Sequence, residues 1–77
     1  MDEITQKLFQ LAAKKFSVDQ KSLKQEDDLF ERLQINSIQA LSLLTDLETE
    51  FKIEIPDYEL QDVRTFNQLA QLIRNRQ

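Results

Sequence analysis

The sequence of 77 residues contains no cysteine, no histidine, no glycine and no tryptophan, and it has a single proline. Without cysteine, the chain has no disulfides, no thiolate nucleophiles and no cysteine-based zinc sites. Without histidine, it has no Ser–His or Cys–His catalytic pair and no histidine metal ligand. These absences exclude most of the chemistry of a self-contained hydrolase.

The charged residues that are present divide the chain into three parts. Residues 26–62 hold eleven acidic side chains against two basic ones, a net charge of −9, whereas residues 1–25 and 63–77 carry +2 and +3. An acidic centre disfavours nucleic acid as a partner and favours a protein with a basic patch. No apolar run approaches the roughly 18 residues of a membrane span, and the N-terminus lacks the pattern of a signal peptide. We therefore expect a cytoplasmic monomer that does not insert into membranes.

Apolar residues at helical spacing predict an all-α fold in one domain over residues 1–77. The clearest pattern predicts a helix over residues 3–15. Residues 17–36 lack a sustained period, so we expect a long loop there, with at most a short turn of helix at 28–33. A second long helix is expected over residues 37–51, with an apolar arc wide enough to contact neighbours on several sides.

Two further helices are expected towards the C-terminus. Pro56 suits the start of a short helix over residues 57–62, which we expect Tyr58 and Leu60 to anchor in the core. Thr65 followed by Gln68 has the pattern of a capping box, so the last helix is expected over residues 66–75. The predicted fold is therefore a small antiparallel bundle of three longer helices and one short helix, with a long loop between the first two longer helices.

Ser37 has a distinctive position among the four serines. It directly follows Asn36, a candidate N-cap, and Gln39 stands where a capping box requires it. The first turn of a helix offers unpaired backbone N–H groups and the positive end of the helix dipole, which together can hold a phosphate. The alternative is that Asn36 and Ser37 only start a helix, because polar caps are common.

The tract from Leu33 to Asp57 resembles the acyl carrier proteins, and the similarity in length and helix order covers essentially the whole chain. The family signature is a leucine, a short spacer, Asp-Ser-Leu, a helix that ends in acidic residues and phenylalanine, and then Ile-Pro. The matching residues are Leu33, Asn36-Ser37-Ile38, Leu41, Leu44, Leu47-Glu48, Phe51, Ile53 and Ile55-Pro56-Asp57. The departures are Asn36 for aspartate, Ile38 for leucine, and Gln34 for a common loop glycine.

This resemblance implies that Ser37 is esterified with 4′-phosphopantetheine from coenzyme A, between Asn36 and Ile38. The chain would carry an acyl or aminoacyl group as a thioester on that arm and would have no catalytic residue of its own. The partners would be a phosphopantetheinyl transferase and acyl-activating, condensing or acyltransferase enzymes of fatty acid, polyketide or related lipid biosynthesis. Family members shelter the acyl chain between helices. For the residues at the corresponding positions here, ordinary core packing is the alternative to a role in sheltering cargo. These residues are Ile38, Leu41, Leu44, Leu47, Ile55, Leu60, Val63 and Ile73.

The surface of the helix over residues 37–51 departs from the family pattern. Gln39 and Ser42 are neutral at positions that are often acidic. Asp46, Glu48 and Glu50 remain as acidic candidates for contact with basic patches on partners, and the alternative is that this run of charges is only a solvated face. A dedicated pathway is therefore expected instead of the housekeeping fatty-acid pathway, and the sequence does not choose among polyketide, nonribosomal peptide, lipid-modification and other acyl-transfer pathways.

Three other functional classes compete with the carrier. An unmodified helical adaptor that acts only by binding proteins stays an open alternative. A calcium sensor is disfavoured because its loop needs alternating oxygen ligands around a glycine turn, and no metal site is expected. A helix-turn-helix DNA-binding protein is disfavoured because Arg64, Arg74 and Arg76 are few and their surroundings are acidic.

Overall fold

The computed structural model describes residues 2–77, and this part of the chain is mostly helical, without a β-strand. The first residue of the predicted domain lies outside that range, and the extent of the domain stays a prediction. The predicted all-α class is confirmed. The elements in chain order are α1 (Glu3–Phe16), a 3₁₀ helix (Gln20–Ser22), α2 (Leu29–Leu33), α3 (Ser37–Phe51), a second 3₁₀ helix (Asp57–Asp62) and α4 (Phe66–Asn75).

Each α-helix begins at a polar residue whose side chain accepts a hydrogen bond from the backbone N–H of the first turn. This bond satisfies one of the N–H groups that no carbonyl inside the helix can reach. The predicted capping boxes of α3 and α4 are both formed, and they fix where these two helices start. The four N-caps are Asp2, Asp28, Asn36 and Thr65.

Three α-helices end at a residue in the left-handed conformation, although the chain has no glycine to place there. Ser17 follows α1 with a φ of 58°, Gln34 follows α2 with 55°, and Lys52 follows α3 with 56°. Glycine is the usual residue at this position because the other residues pay a steric cost for the left-handed conformation. The backbone is therefore strained at these three helix ends, where the chain turns sharply.

The core lies between α1, α3 and α4. Leu8 of α1, Leu43 and Leu47 of α3, and Ile73 of α4 are fully buried. Phe9 packs edge-on against Phe66, with ring centroids 5.2 Å apart and an interplanar angle of 89°. Edge-to-face contact is a preferred aromatic geometry and adds to the stabilisation from burial. No helix between residues 2 and 77 is long and apolar enough to cross a membrane.

The segment 17–36 contains more structure than a loop. The short helix expected at 28–33 is present as α2, whereas the 3₁₀ helix Gln20–Ser22 was not predicted. A helix of three residues is too short to generate a period in the sequence. Asp19 caps it by accepting from the N–H of Lys21, at 3.1 Å, and the buried side chain of Leu23 holds the segment against the core.

Helix α2 is tied to the chain that precedes α4. The N–H of Leu29 donates to the carbonyl of Arg64 at 2.8 Å, and the N–H of Phe66 donates to the carbonyl of Asp27 at 3.3 Å. The Arg64 guanidinium adds two hydrogen bonds to Oδ2 of Asp28, at 3.2 Å from Nε and 2.9 Å from Nη2. These contacts hold α2 beside the second 3₁₀ helix and create one wall of the site described next.

The second 3₁₀ helix buries Leu60, as predicted, but the prediction that Tyr58 anchors it is wrong, because Tyr58 is 68% exposed. Residues three apart eclipse one another in a 3₁₀ helix. Leu60 and Val63 therefore share the side that faces the core, and Tyr58 points elsewhere.

Candidate functional site

Ser37 is the first residue of α3, and it is exposed. Oδ1 of Asn36 accepts from the N–H of Gln39 at 2.9 Å, and Oε1 of Gln39 accepts from the N–H of Asn36 at 2.9 Å. This reciprocal pair starts α3 without using the hydroxyl of Ser37. The N–H groups of the first helical residues have no carbonyl partner within the helix, so the turn that carries Ser37 favours an anion.

A cleft of about 610 Å³ opens beside Ser37. It lies between the first two turns of α3, the second 3₁₀ helix and the side chain of Phe30 from α2. The apolar part of its wall can cover a hydrocarbon group, while its rim is polar. The lining residues are Phe30, Ser37, Leu41, Asp57, Tyr58, Leu60, Gln61, Val63 and Arg64.

The predicted lining divides into two groups. Leu41, Leu60 and Val63 line the cleft. Four others are buried in the packed core and do not line it, so their contact with cargo stays a prediction that would require the core to open. These four are Leu44, Leu47, Ile55 and Ile73.

Ile38, the remaining residue of the predicted lining, is 76% exposed and does not line the cleft, so the apolar arc expected to be packed on α3 does not include it. Ile38 is the second residue of α3 and lies beyond the edge of the core. Helical periodicity predicts that it packs against a neighbouring element, but no element covers it there. Its predicted place beside the attachment residue is unaffected.

Sequence reasoning missed the residues that form the far wall of the cleft. Phe30 lies in α2, seven residues before Ser37, and Arg64 follows Ser37 by 27 residues. The guanidinium of Arg64 lies over the ring of Phe30, 5.7 Å from its centroid, and bonds to Asp28. The pKa of the Asp28 carboxyl is lowered, mainly because the carboxylate accepts a hydrogen bond from the N–H of Glu31 and additionally because it accepts from Arg64. The sequence identifies Arg64 only as one of a few basic residues, and no local pattern pairs it with Phe30.

The exposed face of α3 has the predicted residues, and its two exposed carboxylates form ion pairs with lysines of α1. Gln39, Ser42, Asp46 and Glu50 are all exposed. Oδ2 of Asp46 lies 2.9 Å from Nζ of Lys15, and Oε2 of Glu50 lies 2.8 Å from Nζ of Lys7. The ion pair with Glu50 raises the pKa of Lys7.

The third acidic residue of α3 is also occupied. Oε2 of Glu48 accepts from the N–H of Ile55 at 2.8 Å, which ties the end of α3 to the segment before the second 3₁₀ helix. All three carboxylates of α3 therefore have partners within the chain. Whether the exposed ones contact a partner enzyme stays a prediction.

Comparison with known proteins points to one family. The sequence model of a family described as "Phosphopantetheine attachment site" matches residues 6–73. The chain is 30% identical over 76 residues to the acyl carrier protein of Rickettsia canadensis (strain McKiel), covering 99% of this chain and 88% of that protein. It is 35% identical over 71 residues to the acyl carrier protein of Phytoplasma mali (strain AT), covering 92% of this chain and 84% of that protein.

Proposed function

Because the chain belongs to the acyl carrier protein family, it is a non-catalytic carrier that bears 4′-phosphopantetheine, and we propose that Ser37 is the residue that holds the arm. The observation that carries this proposal is the position of Ser37, which combines an exposed hydroxyl, the first turn of a long helix and the mouth of an apolar cleft. The residues there suit a phosphodiester, since the helix N-terminus stabilises a negative charge by about 0.3–1 kcal/mol.

The other three serines lack this combination. Ser17 ends α1 in the left-handed conformation. The hydroxyl of Ser22 donates to the carbonyl of Asp19 at 2.7 Å and accepts from Arg32. Ser42 lies on the exposed middle of α3, away from the helix terminus and outside the cleft.

The cleft supports the proposal that an acyl group carried as a thioester on the arm is sheltered beside α3. Phe30, Leu41, Leu60 and Val63 would cover its apolar part, at a gain of roughly 0.8 kcal/mol for each buried methylene group. A longer chain would have to displace core residues such as Leu44.

The partners follow from the carrier role. A phosphopantetheinyl transferase supplies the arm, and we propose acyl-activating, condensing or acyltransferase enzymes of fatty acid or related lipid biosynthesis as users of the cargo. The neutral residues Gln39 and Ser42 support a dedicated pathway over the housekeeping one, and a cytoplasmic location is part of the same proposal. That these partners have basic patches stays a prediction. A basic patch that bound Asp46 or Glu50 would compete with the lysine that already pairs with that carboxylate.

Intact mass after incubation with coenzyme A and a phosphopantetheinyl transferase tests the proposal. The wild-type chain should gain one phosphopantetheinyl group, Ser37→Ala should gain none, and the matched control Ser42→Ala should be modified like the wild type. Ser37→Ala should keep its helical circular dichroism, because Asn36 caps α3. If all three proteins stay unmodified, the adaptor alternative is favoured. If Ser37→Ala is modified, the assignment is wrong.

A further inference from the structure

Arg64 is the cationic residue that lines the cleft, and its position is fixed at both the backbone and the side chain. Its N–H donates to Oε1 of Gln68 at 2.7 Å, and its carbonyl accepts from the N–H of Leu29 at 2.8 Å. The guanidinium bonds to Oδ2 of Asp28 through Nε and Nη2 and lies over the ring of Phe30. These four contacts hold the guanidinium in one place, although the side chain is 67% exposed.

The guanidinium keeps hydrogen-bond donors that the chain does not use. An arginine side chain has five N–H groups in a rigid fork and no acceptor. Two of them donate to Asp28, and the others have no acceptor within residues 2–77. The hydroxyl of Tyr58 and the side-chain amide of Gln61 line the same cleft and also have no hydrogen-bond partner in the part of the chain that the structure describes. Three side chains of the cleft can therefore donate to a bound group.

The apolar part of the cleft is small. Phe30, Leu41, Leu60 and Val63 form it, and the adjoining core is already filled, since Leu44 is only 1% exposed. A hydrocarbon chain too long for this part of the wall must either displace core residues or cover the polar side chains. Covering a polar group without giving it a hydrogen bond is unfavourable. The cleft therefore suits a short acyl group better than a long saturated one.

The charges around the cleft have both signs. Asp57 lines the cleft and forms no ion pair with any described residue, and Asp62 and Glu54 are exposed on and just before the second 3₁₀ helix. A carboxylate on the cargo would compete with Asp28 for Arg64 and would be repelled by these acidic residues. An ammonium group would be repelled by the guanidinium. A neutral oxygen, as in a hydroxyl or keto group, accepts from Arg64 without either conflict.

We infer that the cleft takes a short acyl group that carries a neutral oxygen, and that Arg64 determines this specificity by donating a hydrogen bond to that oxygen. The inference rests on the proposed function, because it takes Ser37 as the residue that holds the arm. A saturated acyl group of the same length would exchange the water around the donors of Arg64 for hydrocarbon. This loss of hydrogen bonds weakens its contact with the cleft.

The test compares 3-hydroxyhexanoyl and hexanoyl groups, which have the same chain length and differ by one oxygen. A phosphopantetheinyl transferase that accepts acyl-coenzyme A loads each group onto Ser37, and intact mass confirms the loading. The hydroxyacyl group should raise Tm by about 2–6 °C more than the saturated group, as expected for one hydrogen bond in a domain of this size. Thioester hydrolysis, relative to the same group on free pantetheine, should be roughly threefold slower for the hydroxyacyl group.

Variants of Arg64 assign the difference to its donors. Arg64→Met keeps an unbranched side chain without donors, so it should abolish the difference between the two acyl groups and leave the effect of hexanoyl unchanged. Arg64→Lys should retain part of the difference, because an ammonium donates but lacks the planar fork. The matched control is Arg76→Met, which removes an ion pair with Glu59 of the second 3₁₀ helix but lies outside the cleft, and it should keep the wild-type difference. Circular dichroism of each variant checks its fold.

The inference is overturned if hexanoyl stabilises the wild-type carrier as much as 3-hydroxyhexanoyl does, or if Arg64→Met keeps the full difference. It is also overturned if a malonyl or β-alanyl group, which end in a carboxylate and an ammonium, raises Tm more than the hydroxyacyl group. Those results leave modification at Ser37 intact. A chain that the transferase does not modify overturns the proposed function together with the inference, so the two failures are distinguishable.

Discussion

Replacing Gln34 with glycine should stabilise the fold. Gln34 ends α2 with φ 55° and ψ 52°, in the left-handed region, and its N–H donates to the carbonyls of Glu31 and Phe30. Its side chain is exposed, so the substitution should remove strain without removing packing. The left-handed conformation costs a residue with a Cβ atom about 1–2 kcal/mol, and glycine avoids this cost. Glycine also destabilises the fold by about 0.5–1 kcal/mol, because its unfolded chain has the greater entropy.

The expected net gain is about 0.5–1 kcal/mol in the free energy of unfolding. For a domain of this size, that gain raises Tm by about 2–8 °C. Urea unfolding followed by circular dichroism should show a higher midpoint with an unchanged m value, because the same surface is exposed on unfolding. Modification of Ser37 should keep its wild-type rate, since Gln34 lies outside the cleft.

The matched control is Gln10→Gly, the same substitution at an exposed position inside α1. Glycine there should destabilise the protein by about 1 kcal/mol, because the helical conformation suits glutamine and not glycine. A Gln34→Gly protein that is no more stable than the wild type, or that loses stability like Gln10→Gly, would refute the reasoning about strain at the end of α2.

Two further predictions concern stability. Asp2→Asn should flatten the dependence of Tm on pH between about pH 4 and pH 2, because the N–H of Thr5 first, and then Arg74, lower the pKa of Asp2 from 3.8 to about 2. The ionised carboxylate of Asp2 therefore stabilises the fold at pH values above its ordinary pKa, and this contribution is lost as the pH falls through 2. If Tm of Asp2→Asn falls with pH in this range as steeply as Tm of the wild type, the prediction is wrong. Phe66→Ala should cost about 3–5 kcal/mol, out of a total of about 4–12 kcal/mol for a domain of this size, since Phe66 is fully buried against Phe9. Urea unfolding measures this loss, and a cost below about 1 kcal/mol would show that the core does not depend on this ring.

The three long helices were predictable because local rules specify them. The apolar period places α1, and the capping boxes at Asn36 and Thr65 place the starts of α3 and α4 to the residue. The attachment residue was predictable for the same reason, since the position of Ser37 relative to Asn36 is a local feature. The short 3₁₀ helix at Gln20–Ser22 was missed because three residues cannot establish a period.

The rest of the site depends on contacts between segments that are distant in the sequence. Phe30 and Arg64 line the cleft from distant segments, where Arg64 bonds to Asp28 and lies over Phe30, and no period in either segment encodes that pairing. The pairing of the α3 carboxylates likewise depends on the register between α1 and α3, which places Lys7 opposite Glu50. Periodicity identifies which face of a helix is polar, but it does not identify which charges on that face are neutralised by a neighbouring helix.

The central claim is that this chain carries 4′-phosphopantetheine on Ser37. The most direct measurement is mass spectrometry of the protein purified from its native host, first intact and then as fragments that separate Ser37 from Ser42. We expect one phosphopantetheinyl group, with or without an acyl group on its thiol, on the fragment that contains Ser37. A chain that carries no such group in its host, or that carries it on another residue, would contradict the assignment of Ser37.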